Sequence, residues 1–174
     1  MQVLCMVGRF QSALKQSHLT PVKKIFKYLK GTMTHGLWYP RNRNFQLNAY
    51  SDVDYANCLD ERKRTSGGAF FLGDSLVAWL SNKKSSIALS TIEAEYIAVV
   101  ACCTQVLWMI QALADLEVKY TEPIPIHCDN TSTISISKNL VLHSKTKHIP
   151  LRYHFLKDQV TNKVVQLQYI PSTE

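Results

Sequence analysis

Apolar residues at Val22, Ile25, Phe26 and Leu29 recur at the spacing of one helical face and predict an amphipathic helix over residues 21–30. Thr20 suits its N-cap, Pro21 its first position and Gly31 its end. The period then changes from helix to strand. Residues 37–39 read as a short extended piece stopped by Pro40, and over residues 45–51 Phe45, Leu47 and Ala49 alternate with Gln46, Asn48 and Tyr50. Two more strands, 67–72 and 76–80, are separated by Gly73-Asp74-Ser75, a turn in which Gly73 or Asp74 takes positive φ. Ser90 and Glu93 then have capping-box spacing ahead of a long helix with the stripe Ile92, Tyr96, Val99, Cys103, Leu107, Ile110, Leu113. A strand over 124–128, a Ser/Thr-rich helix to Lys138, a helix over 151–161 and a strand over 164–170 complete the order β-β-β-α-β-α-α-β. Three antiparallel strands followed by α/β alternation predict an α/β fold: a mixed five-stranded sheet with helices on both faces and functional groups at strand ends.

With 46% hydrophobic residues over 174 positions the chain can bury a core, which excludes disorder and low complexity. The uncharged run from Tyr96 to Ala114 is broken by Thr104, Gln105 and Gln111 and reads as a buried helix, so no membrane partner is expected. The N-terminus lacks the pattern of a secretory signal, and an intracellular setting follows as the expectation. Five cysteines, Cys5, Cys58, Cys102, Cys103 and Cys128, with no CxxC pair, suit neither a disulfide framework nor a zinc site and are expected as reduced, mostly buried thiols. A formal charge of +7 permits a polyanionic partner, with basic clusters at Lys23/Lys24, Arg62-Lys63-Arg64, Lys83/Lys84 and Lys145/Lys147. Trp38, Trp79 and Trp108 sit in apolar patterns and are expected in the core.

Three carboxylates stand out. Glu95 is the only charged residue between Ala94 and Ala114 and shares a helix face with Ile92, Val99 and Cys102, where a carboxylate is costly unless it pairs with a Lys or Arg or binds a metal. Glu93, two residues earlier, is explained by capping. Asp52 and Asp129 each end a predicted strand; either could be an N-cap, a role that Asn130 or Ser132 could fill in place of Asp129. Taken together the three form an oxygen-only donor set of the kind hard divalent cations require. His143, His148 and His154 are too irregularly spaced to share one helix face as a zinc site.

The runs YSDVDYANCLDERKRTSGGAFF, LSTIEAEYIAV, IHCDNTSTISISKN and HSKTKHIPLRYHFLKDQV resemble the ribonuclease H domain of copia-type retrotransposon Pol polyproteins, from about Ala49 to Thr173. Upstream, VGRF and VKKIFKYLKGTMTHGLWY resemble the tail of that family's reverse transcriptase. The resemblance implies a reverse transcriptase remnant over residues 1–43 and an RNase H-like domain over 44–174. It also implies a catalytic set in which Asp52, Glu95 and Asp129 hold two Mg²⁺ ions, with Mn²⁺ as a substitute and no small-molecule cofactor. The implied activity is endonucleolytic hydrolysis of the RNA strand of RNA–DNA hybrids, beside the reverse transcriptase portion of the parent polyprotein. Copia-type sequences often carry an acid directly after the K-H-I stretch. Here Pro150 stands at that position, leaving His148, His154 and Asp158 as auxiliary candidates. Arg62, Lys63, Arg64, Ser66, Lys83, Lys84 and Asn130, with Asn57, are candidate nucleic-acid contacts. The competing reading is a catalytically inactive retrotransposon-derived fragment that binds nucleic acid or serves only as a scaffold.

Overall fold

The computed structural model describes residues 4, 7, 8, 10–13, 15–41, 45–54, 65–83, 90–138 and 150–171 and, for residues 54, 65, 83 and 150–153, the backbone only. Cys5, Asn57, Cys58, Arg62, Lys63, Arg64, Lys84, His143, Lys145, Lys147 and His148 lie outside the described residues, as does the side chain of Lys83.

Contacts divide the chain into two units, Met1–Pro40 and Arg41–Glu174. In the first, a 3-10 turn at Gln16–His18 runs into helix α1, Leu19–Gly31, and the rings of Phe10 and His18 stack with centroids 4.6 Å apart. The helix starts earlier than its sequence suggests: His18 occupies the N-cap position without a side-chain hydrogen bond, and Thr20 lies inside the first turn. Gly31 is its last residue, and Thr32 closes it by donating its hydroxyl to the Tyr28 carbonyl at 2.8 Å. No residue of α1 is buried. The extended piece expected at 37–39 forms no strand among the described residues.

The second unit opens with β1 (Leu47–Asp54), β2 (Thr65–Leu72) and β3 (Ser75–Lys83), an antiparallel meander whose second turn carries Gly73 at φ 61°. Helix α2 (Thr91–Ala114) returns the chain to β4 (Ile124–Cys128), which pairs in parallel with β1. Helices α3 (Thr131–Lys138) and α4 (Pro150–Thr161) precede β5 (Val165–Tyr169), parallel to β4. The sheet order is β3-β2-β1-β4-β5. Strand β1 runs three residues past its expected end, since the Asp52↔Gly67, Val53↔Ser66 and Asp54↔Thr65 pairs extend the ladder. Asp52 therefore sits within the strand, not after it.

Alternation along β1 sends Leu47, Ala49, Ser51 and Val53 to one face, where all four are buried, and β4 sends Ile124, Ile126 and Cys128 to the same core. Helix α2 packs on this face with a stripe centred on Glu95, Ala98, Cys102, Val106 and Met109, rotated from the expected one. The helix is apolar nearly all round: Tyr96, Val99 and Cys103 of the expected stripe are buried as well, while Leu107 and Ile110 lie half-buried. Gly68 makes the close approach of α2 to the sheet possible: a Cβ there would stand 2.8 Å from Cys102 Sγ. By length and composition α2 could cross a membrane; here it forms the centre of the core.

Helices α2, α3 and α4 touch one another and pack on this same face. Among the described residues, the helices of this unit join the core on this face. The tryptophans lie outside this core, which corrects their expected place: Trp79 points from β3 to the opposite face and is 46% exposed, Trp108 lies on the outer side of α2 at 65%, and Trp38 in the first unit is 81% exposed.

Candidate active site

Strand pairing positions the first two acids. Tyr50 of β1 is the Cα partner of His127 of β4, and their rings stack with centroids 4.6 Å apart and planes at 19°. Both side chains therefore lie on the face opposite that core. Two residues further along each strand, with the side-chain period of two, come Asp52 and Asp129. Asp52 thus shares the face of Tyr50 near the end of β1, and Asp129 is the first residue after β4. Asp52 is exposed and Asp129 half-buried. Phe71 closes the aromatic group edge-on to Tyr50 at 5.5 Å. Burial pushes the His127 pKa below its ordinary value, favouring the neutral ring.

Helix α2 brings the third acid from the covered side. Ser90 accepts a hydrogen bond from the Glu93 N–H at 3.1 Å, fixing the helix start. Ala94 and Ala98 pack against Val53, the neighbour of Asp52, and Glu95 between them is 4% exposed. Its carboxylate is felt at the end of β4. Burial pushes the Cys128 thiol up to about 11, a backbone N–H from Asn130 opposes this, and the charges of Asp129 and Glu95 push the same way as burial. Glu95 and Asp129 therefore act on one sulfur atom. Burial likewise raises Cys102 to about 11 and Cys103 to about 12, and Cys102 donates to the Tyr50 carbonyl at 3.6 Å. All three thiols are free and buried.

Asn130 takes the capping role that was open to Asp129: its Oδ1 accepts from the Thr133 N–H at 3.0 Å. Ser66 is not a surface contact. It is 3% exposed on the covered face, where its hydroxyl donates to the Asn82 carbonyl at 3.3 Å. Pro150 is the first residue of α4, a position where its missing N–H costs nothing. His154 and Asp158 are exposed along that helix.

Asp52 thus lies near the end of β1 and Asp129 just past β4, while Glu95 on α2 acts together with Asp129 on Cys128. Among the described residues no three His, Cys, Asp or Glu side chains close into a metal-enclosing group. The donor chemistry fits a hard divalent cation: the acids offer only oxygen, and the neighbouring thiol is held protonated. The aromatic group of Tyr50, Phe71 and His127 was missed in the sequence, although the alternation of β1 and β4 carried the signal for two of its members.

No protein-family model matches the sequence. The chain is 32% identical over 164 residues, 94% of its length, to the retrovirus-related Pol polyprotein from transposon RE1 of Arabidopsis thaliana, and spans 11% of that protein. It is 33% identical over 168 residues, 97% of its length, to the retrovirus-related Pol polyprotein from transposon TNT 1-94 of Nicotiana tabacum, and spans 12% of it. The chain therefore spans about a tenth of the length of the curated relatives it matches. In fold it is similar to the crystal structure of LC11-RNase H1 in complex with RNA/DNA hybrid, with a TM-score of 0.52 at 10% identity, covering 74% of this chain and 87% of that one.

Proposed function

We propose, for a chain that belongs to the copia-type, retrovirus-related Pol polyproteins of transposons and has the ribonuclease H fold, that it hydrolyses the RNA strand of RNA–DNA hybrids. The observation supporting this reading is the parallel Tyr50–His127 pairing, two residues ahead of Asp52 and Asp129, together with the buried Glu95, whose charge reaches Cys128 beside Asp129. Asp52, Glu95 and Asp129 are the residues that would hold Mg²⁺, with Mn²⁺ as a substitute. Bound there, divalent cations supply the Lewis acidity that activates a water and stabilises the departing 3′-oxygen.

The protein's own contribution is positioning. Asp52 and Asp129 each follow the paired Tyr50 and His127 by two residues, so the β1–β4 ladder would set their approach. Glu95 is buried in a helix whose Ala94, Ala98, Val99 and Cys102 are buried with it, and burial restricts its rotamers. The protonated Cys128 withholds a thiolate, which keeps the donor set hard. Selection of the RNA strand would rest on 2′-hydroxyl contacts. In the parent polyprotein the reverse transcriptase portion is the partner that generates the hybrid inside the cell.

One observation favours a second reading, a fold that binds nucleic acid without cutting: no described trio of ligands closes around a cation. Cleavage of a hybrid labelled on its RNA strand, in Mg²⁺ and in EDTA, by this chain and by Asp52→Asn and Asp129→Asn separates the two. Cutting in Mg²⁺ alone, lost in both variants by at least about a hundredfold, is the expected result. A folded chain that binds the hybrid and leaves the RNA intact establishes the second reading.

A further inference from the structure

The positive charge of this protein is not spread over both units. Arg9, Lys15, Lys23, Lys24, Lys27 and Lys30 fall in Met1–Pro40, which has no Asp or Glu and so carries +6. The other 14 of the 20 basic residues meet all 13 acids, leaving Arg41–Glu174 at +1. The unit with the strand-end carboxylates therefore carries almost no net charge to draw in a polyanion, its basic residues, Arg62, Lys63, Arg64, Lys83 and Lys84 among them, being offset by its acids.

Helix α1 concentrates the missing charge. Lys23, Lys27 and Lys30 follow i, i+4, i+7 spacing and Lys24 lies beside Lys27, so four ammonium groups share one side. All four are exposed. Val22, Ile25, Phe26 and Leu29 occupy the opposite side, so anything covering the apolar side leaves the lysines accessible. From Lys23 to Lys30 the helix rises about 10 Å. A duplex presents roughly six phosphates over that length.

We propose that the lysine face of α1 is the electrostatic anchor of this protein for the sugar-phosphate backbone of a nucleic-acid duplex, supplying most of the binding energy that the second unit lacks. This rests on the reading above that an RNA–DNA hybrid is the substrate. Sequence recognition plays no part, because ammonium groups on phosphates carry none.

The test is the fluorescence anisotropy of a labelled RNA–DNA hybrid, in EDTA so that nothing is cut, against the full chain over a range of NaCl concentrations. The variant with Lys23→Gln, Lys24→Gln, Lys27→Gln and Lys30→Gln should bind at least about tenfold more weakly at 0.1 M salt, with a log K against log salt slope shallower by roughly 3 to 4. Arg at the same four positions should restore both. A Gln variant with the affinity and slope of the parent overturns the inference and leaves the ribonuclease reading standing, whereas a parent chain that binds no duplex overturns that reading as well. Vesicles of phosphatidylserine and phosphatidylcholine form the second arm: tighter binding to these than to the hybrid, lost in Phe26→Ser, makes the partner a membrane and overturns the proposal.

Discussion

Substituting Gly68 by Ala tests how tightly α2 is seated on the sheet that carries the acids. The new Cβ would stand 2.8 Å from Cys102 Sγ, 3.0 Å from Leu80 Cγ and 3.2 Å from Leu80 Cδ1. Cys102 is fully buried and donates to the Tyr50 carbonyl, so its sulfur has little room to swing away. Overpacking of this kind costs about 1–3 kcal/mol, while replacing glycine stiffens the unfolded chain and returns about 0.4–1 kcal/mol. The net loss is therefore about 1–2 kcal/mol, which lowers Tm by roughly 3–8 °C in a unit of this size. Gly67→Ala is the control: its Cβ would meet only the Asp52 carbonyl oxygen at 3.9 Å, an ordinary contact, and should leave Tm unchanged or slightly raised. Thermal unfolding followed by circular dichroism, with Cys102→Ala added to each background, completes the cycle. Removing the sulfur should recover about 1 kcal/mol in the Gly68→Ala background beyond its own cost. Equal melting of the Gly67 and Gly68 variants, or additive losses with Cys102→Ala, would refute the reasoning.

Native-state alkylation at pH 8 should leave Cys102, Cys103 and Cys128 unmodified by peptide mass mapping, since burial holds all three thiols protonated at about 11 to 12; rapid labelling of any of them contradicts the packing of α2. Because the His127 pKa is depressed by burial, the unfolded chain takes up its proton first as pH falls through about 6.5, so stability should drop on acidification and His127→Asn should flatten that slope. Urea midpoints at pH 7.5 and 5.5 decide this, and parallel slopes for parent and variant count against it. Asn130→Ala should cost about 1 kcal/mol by stripping the cap from α3, measured in the same denaturation, and a neutral result would mean that another group caps the helix.

The sheet and its order of elements were legible because strand alternation and helix caps are local signals. Gly73 takes the positive φ that its turn demands, and Ser90 caps α2 as its spacing suggests. The end of β1 was not legible: Val53 continues the buried alternation, but only pairing with residues 65–67 keeps Asp52 inside the strand. The tryptophans were misread for a related reason. An apolar neighbourhood in sequence does not say which face of a sheet a residue will take, and Trp79 lies on the face opposite the core. Glu95 was readable as an acid on an apolar helix face. Its nearness to Asp129 depends on the crossover from α2 to β4, a contact that no local pattern encodes.

The most direct test of the site is a single-turnover comparison of Glu95→Gln with Glu93→Gln on the labelled hybrid in Mg²⁺. Two acids two residues apart are assigned different work, one buried beside the strand ends and one at a helix start. The account predicts that Glu95→Gln loses RNA cleavage by at least about a hundredfold, while Glu93→Gln stays within a few-fold of the parent. Equal rates for the two variants, or the larger loss at Glu93, would contradict it.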